Sequence, residues 1–168
     1  ADRETPNATT YQDGDTYVLR NAYVRLLLPR NDFGYGVAFL EARRGNEWER
    51  VGAFPSLGEL RAGATGKPAE RVPLWLGTAT PSTAAGAAQL VLSGTIQSGG
   101  VVWDLSVLCV LSDGAKHVDL HCTATPRSAA ALRAFYAPTF YAGDGSFGAA
   151  KTTALFPGLE YLTGDEVS

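Results

Sequence analysis

The sequence predicts an all-β protein, an antiparallel β-sandwich, and three observations carry that expectation. The stretch Gly100 to Pro126 reads as two long strands joined by one tight turn. Short runs of alternating or β-branched residues recur along the chain, separated by glycine, proline and asparagine turn signals. Almost no stretch shows helical periodicity. Roughly eight to ten short strands are expected, enough for two sheets packed face to face.

The central hairpin is justified first. Its turn is Ser112-Asp113-Gly114-Ala115. Asp-Gly between alternating apolar residues signals a two-residue hairpin loop of type I′, with positive φ at both central residues. Trp103, Leu105, Val107, Cys109 and Leu111 share one face of the first strand, and Val118, Leu120, Cys122 and Ala124 one face of the second. A two-residue loop sets Ser106 opposite His121, Asp104 opposite Thr123 and Leu105 opposite Cys122. The opposite face carries Asp104, Ser106, His117, Asp119, His121, Thr123 and Thr125, mixed with Val102, Leu108 and Val110. Trp103 belongs to the core.

The rest of the chain follows in order. Residues 1–16 are polar and aperiodic and read as a flexible leader, with residues 17–168 forming one β-sandwich domain. Tyr17 to Pro29 is strand-like, with a turn or bulge at Asn21-Ala22. Asn31 to Gly36 is a turn-rich loop with two aromatics. Val37 to Ala42 and Glu47 to Val51 flank a hairpin turn at Gly45-Asn46. Phe54 to Pro73 holds three prolines and is too broken for a long central strand. Val72 to Thr80 resumes β character around Trp75, Pro81 to Ala88 reads as a small-residue loop, and Gln89 to Gln97 as a strand. Ser128 to Ala134 fits a helical turn or a strand equally well. Tyr141 to Gly148 is a glycine-rich loop, and Thr152 to Phe156 and Leu159 to Leu162 are β-type segments.

Composition narrows the partners. The net charge is −3 over 168 residues, without blocks of like charge, so neither nucleic acid nor an anionic membrane is an expected partner. No apolar run approaches the ~20 residues that span a bilayer. The chain contains no methionine and reads as a piece excised from a longer protein. The two cysteines, Cys109 and Cys122, both point inward and sit four residues out of register in the expected hairpin. A separation of roughly 13 Å would keep them as free thiols.

Candidate sites follow from the polar face of the hairpin. His117 and His121 are too far apart on one strand to close on a single ion, since ligands must lie about 2.0–2.2 Å from zinc. No metal or other cofactor is therefore expected. A row of donors and acceptors beside exposed aromatics suits sugar hydroxyls instead. The expected carbohydrate-binding set is Asp104, Ser106, His117, Asp119 and His121, with Trp48, Trp75 and Tyr141 as stacking platforms; Tyr136 and Phe147 are further aromatic candidates. The plainer reading of the same face is a solvated or interdomain surface. Asp32 and Asp144 could ligate calcium through loop oxygens, although tight turns explain the neighbouring glycines more simply. Glu160, Asp165 and Glu166 read as surface charges. No serine-hydrolase elbow and no phosphate-binding loop is present.

Two segments, LRNAYVRLLLPRNDFGYG (Leu19–Gly36) and FYAGDGSFGAAKTTALFPGLEYLTGDEVS (Phe140–Ser168), resemble the N-terminal part of large bacterial glycoside-hydrolase-like proteins. The hairpin between them resembles strands of the galactose-mutarotase-like super-sandwich. The resemblance implies a non-catalytic carbohydrate-binding or accessory domain, secreted or periplasmic. Its partners would be a polysaccharide or oligosaccharide and a neighbouring catalytic domain of the same chain. Mutarotase-like chemistry uses two histidines and a glutamate from separate strands, whereas the histidines here share one strand, so no catalytic residue carries over. A lyase or epimerase using His121 and Asp119 as acid and base, and a pure interdomain scaffold, are the alternatives.

Overall fold

The computed structural model describes residues 7–63 and 69–143, and the backbone of 153–156 and 160–163. Every regular element among them is a strand. In chain order these are β1 (Thr9–Asp13), β2 (Thr16–Arg20), β3 (Val24–Asn31), β4 (Gly34–Tyr35), β5 (Ala38–Arg44), β6 (Glu47–Ser56), β7 (Glu59–Ala62) and β8 (Glu70–Pro73). They continue with β9 (Thr78–Ala84), β10 (Ala87–Ser98), β11 (Val101–Ser112), β12 (Asp119–Pro126), β13 (Leu132–Tyr136), β14 (Thr139–Ala142), β15 (Thr153–Phe156) and β16 (Glu160–Thr163).

All the pairings are antiparallel. One sheet runs β1-β2-β3-β5-β6-β14, with β4 attached to β3, and a second runs β12-β11-β10-β9. A third, β13-β7-β8, and the β15–β16 hairpin complete the set. The all-β, sandwich-like expectation is thus met, with more strands than the turn signals suggested, and with β6 and β10 longer than expected.

The core explains why the first two sheets face each other. Leu26 and Leu28 of β3, Leu90 and Leu92 of β10, and Trp103, Leu105, Val107, Cys109 and Leu111 of β11 are buried in one cluster. Each strand contributes alternate residues, as a half-buried sheet requires. Trp103 is core, as expected, and its indole N–H donates to the Ser98 carbonyl at 3.1 Å. That bond removes the cost of burying an unpaired donor.

The central hairpin forms with its faces as expected but with a different register. Ser106 lies opposite Thr123, Asp104 opposite Thr125 and Leu105 opposite Ala124, two residues from the expected pairing. The turn is not type I′ either, because no described residue other than glycine has positive φ, and only Gly114 (+67°) does so in this turn. The cause lies outside the hairpin. Asn21 donates its side-chain amide to the carbonyls of Ser112 (3.1 Å) and Ala115 (2.8 Å), and Asp113 N–H donates to Gly86 O at 2.8 Å. The turn is thereby tied to neighbouring loops, and the reversal widens so that β12 begins only at Asp119. A shift of two residues preserves the side-chain phase, so the apolar set still meets on the inner face.

The shift also moves the cysteines. Cys109 pairs with Leu120 and Cys122 with Val107, which makes the thiols diagonal neighbours, about 7–8 Å apart at Cα and not ~13 Å. Both are free, Cys109 buried and Cys122 half-buried.

Three local expectations are corrected. Thr9–Asp13, inside the stretch read as a loose leader, pairs with β2 along its whole length. Main-chain bonds hold this mostly exposed edge strand, so it needs no apolar alternation. Pro81, read as part of a loop, lies within β9, the edge of its sheet, where a residue lacking N–H is tolerated. The ambiguous segment before Tyr136 resolves as β13, a strand.

Candidate functional site

An open groove of about 610 Å³ lies beside the β3–β4 turn and strands β9, β10 and β11, lined by outer-face residues of that sheet together with Gly94 and Leu105 of its inner face. Its side chains include Phe33, Trp75, Thr78, Ser93, Thr95 and Asp104.

The aromatic wall is built by a turn and two close approaches. Asn31 Oδ1 accepts the Phe33 N–H at 2.9 Å, which fixes the turn and presents Phe33 at its tip, 73% exposed. Tyr35 and Leu76 then exchange main-chain hydrogen bonds of 2.8 and 2.9 Å. That pairing needs glycine at position 34, where φ is +108° and a Cβ would sit 2.4 Å from the Leu76 carbonyl oxygen. The chain passes directly from buried Leu76 to Trp75, whose ring rests on the backbone of Gly36. A Cβ there would come within 2.3 Å of the indole Cε3. The rings of Phe33 and Trp75 lie 5.7 Å apart at a tilt of 45°, within the separation at which aromatic pairs attract.

The polar wall follows from strand phase. Thr78, Ser93, Ser106 and Thr123 stand side by side across the four strands, because their Cα positions are paired in register. Thr78 and Ser93 share a hydrogen bond of 2.7 Å between hydroxyls. Thr95, Asp104 and Thr125 form the next row. Arg127 clamps the Asp104 carboxylate through two bonds, Nε to Oδ2 at 3.0 Å and Nη2 to Oδ1 at 2.7 Å. These hydrogen bonds, with the charge of Arg127, hold the carboxyl below its ordinary range against an opposing effect of desolvation.

The expected site residues divide by location. Trp75 and Asp104 come together in the groove, and Ser106 adjoins it beside Ser93. His121 is exposed on the same outer face, opposite Leu108. His117 and Asp119 sit at the far end, near the turn, with Nε2 and Oδ2 3.8 Å apart. Trp48 is elsewhere: its ring lies beneath the guanidiniums of Arg25, at 4.8 Å, and Arg43, at 5.8 Å. Tyr141 lines a separate cleft together with Tyr136. Among the described residues no three His, Cys, Asp or Glu side chains gather into a metal-binding cluster. Asp32 is near Asp15 and Arg30. Asp144, Phe147, Asp165 and Glu166 lie outside the described residues, and Glu160 begins β16.

Phe33 is the aromatic groove residue that sequence reasoning passed over, as it also passed over Thr78, Ser93 and Thr95. Its signal was present: an Asn-Asp-Phe-Gly turn puts an aromatic at a tip where nothing can bury it. The groove can hold the apolar face of a flat, hydroxyl-rich ring against Phe33 and Trp75 while the facing hydroxyls and carboxylate exchange hydrogen bonds with its rim. Comparison with protein-family models, with curated proteins and with solved structures finds no match for this chain.

Proposed function

We propose that the chain is a non-catalytic carbohydrate-binding module, and that the groove between Phe33 and Asp104 is where it holds a polysaccharide or oligosaccharide. The observation that carries this reading is the juxtaposition of the Phe33–Trp75 pair with Thr78, Ser93, Thr95 and Asp104. Sugar rings present both an apolar C–H face and a hydroxyl rim, and the two walls match those two surfaces. The open shape favours an extended chain over an enclosed monosaccharide. The resemblance to bacterial glycoside-hydrolase-like proteins supports an accessory role, secreted or periplasmic, beside a catalytic domain of the same chain.

Affinity electrophoresis against a panel of plant and bacterial polysaccharides tests the reading. At least one polysaccharide should retard the native chain, and Phe33→Ala should abolish the retardation. If none retards it, or if Phe33→Ala and Trp75→Ala migrate as the native chain does, the groove is not a glycan site.

A further inference from the structure

A second cleft, of about 360 Å³, lies on another part of the molecule and shares no lining residue with the groove. Ser56, Glu59, Arg61, Arg71, Tyr136 and Tyr141 contribute to it. Its electrostatics are set by strand register. Arg61 of β7 lies directly opposite Arg71 of β8. Like charges facing each other across an antiparallel pair repel, so the arrangement calls for anions between them. Glu59 supplies one: it accepts Nε–H bonds from both arginines, the one from Arg61 at 3.2 Å.

One carboxylate does not balance two guanidiniums, and no other lining residue of the cleft is acidic. Each arginine gives Glu59 its Nε–H, and its Nη groups remain able to donate to a further acceptor. The Arg61 guanidinium also stacks over the Tyr136 ring, 5.2 Å from its centre, which fixes the fork in place. Both tyrosines are substantially exposed at the cleft. A planar, positively charged fork next to an accessible aromatic face is a recognition surface for an anion attached to a ring.

We propose that this cleft is a second binding site, taking a small ring-bearing ligand that carries a carboxylate or a sulfate. Arg61 and Arg71 bind the anionic group, and Tyr136 lies against the ring. This does not rest on the groove reading.

Titration calorimetry on the Phe33→Ala chain tests it with the groove disabled, using glucuronate, glucose 6-sulfate, glucose and inorganic sulfate as probes. Binding of glucuronate, of glucose 6-sulfate or of both, without comparable binding of glucose, is the expected result, and which one binds names the source of the anion. Arg71→Ala should weaken that binding about tenfold or more, as loss of charge-assisted bonds does, with Arg71→Lys intermediate. Tyr136→Ala should weaken the charged sugars more than inorganic sulfate, because it removes the ring contact from the sugars and only the support of the Arg61 fork from both. Arg71 is 70% exposed, so circular dichroism should find its variants folded. The proposal is overturned if no charged probe binds at millimolar concentration, if glucose binds as well as glucuronate, or if Arg71→Ala leaves the affinity unchanged. Charged sugars that bind the native chain but not Phe33→Ala would sit in the groove, which ends this proposal and leaves the other standing.

Discussion

The indole of Trp75 lies against the bare α-carbon of Gly36, so closely that a methyl group there would stand 2.3 Å from Cε3. No rotation of a methyl relieves such a contact, and either the ring or the β4–β5 connection must move. Gly36→Ala should therefore displace the ring, shift the tryptophan emission and weaken glycan retention. Overpacking of this kind costs about 1–3 kcal/mol, which urea unfolding would register. An unchanged spectrum and midpoint would show that the ring is not held there.

Asn21 predicts a larger loss. It is 3% exposed, and its carboxamide makes four hydrogen bonds: it accepts from Tyr23 and Val24 and donates to Ser112 and Ala115. Asn21→Ala removes all four bonds, leaving the Tyr23 and Val24 N–H groups and the Ala115 carbonyl without this partner while the Ser112 carbonyl keeps the Ala115 N–H, at a cost of roughly 2–4 kcal/mol. Asn21→Asp keeps the acceptor, loses both donors and sets a negative charge against two carbonyls, so it should not rescue. Equilibrium denaturation of both variants checks this, and a loss below 1 kcal/mol would contradict it.

The Glu59 cluster predicts an acid dependence. Desolvation pushes its carboxyl pKa up, but hydrogen bonds from Arg71 and Arg61 outweigh that, and the net value falls below the ordinary 4.5. A depressed carboxyl contributes stability that is present above pH 4.5 and is lost as pH falls through the folded-state value. The native chain should lose thermal stability below that pH more steeply than Glu59→Gln, which has no such proton to take up. Parallel melting curves across the acid range would contradict this account.

Cys109 should be inert. Burial, with a smaller contribution from Cys122, pushes its thiol up to about 12. At pH 8 the thiolate is then a fraction on the order of one in ten thousand. Thiol reagents at that pH should leave Cys109 unlabelled in the folded chain and label both cysteines after denaturation, as peptide mapping would resolve. Rapid labelling of Cys109 under native conditions would place it outside the core.

Much of the fold was legible because it depends on phase, and phase is written in side chains. The alternation from Trp103 to Leu111 specified which face of β11 turns inward, and no partner could reverse it. Register was not legible, since it depends on Asn21, some ninety positions earlier in the chain, engaging Ser112 and Ala115. Strand β1 left no pattern, because its side chains bury little and its backbone does the pairing. The groove was half legible. Trp75 and Asp104 stood out by residue type, but their meeting requires the Tyr35–Leu76 bridge, which depends on glycines that read locally as turn residues. Trp48 shows the opposite limit, since nothing near it in sequence announces that Arg25 will cover its ring.

The two outer strands of the β12-β11-β10-β9 sheet both contain proline, Pro81 within β9 and Pro126 at the end of β12. An incoming strand would look for a continuous ladder of amide donors and meet a gap on either flank. Such gaps discourage fibril-like stacking of copies. Copies of the chain can then crowd together at high density without zipping to their neighbours through this sheet.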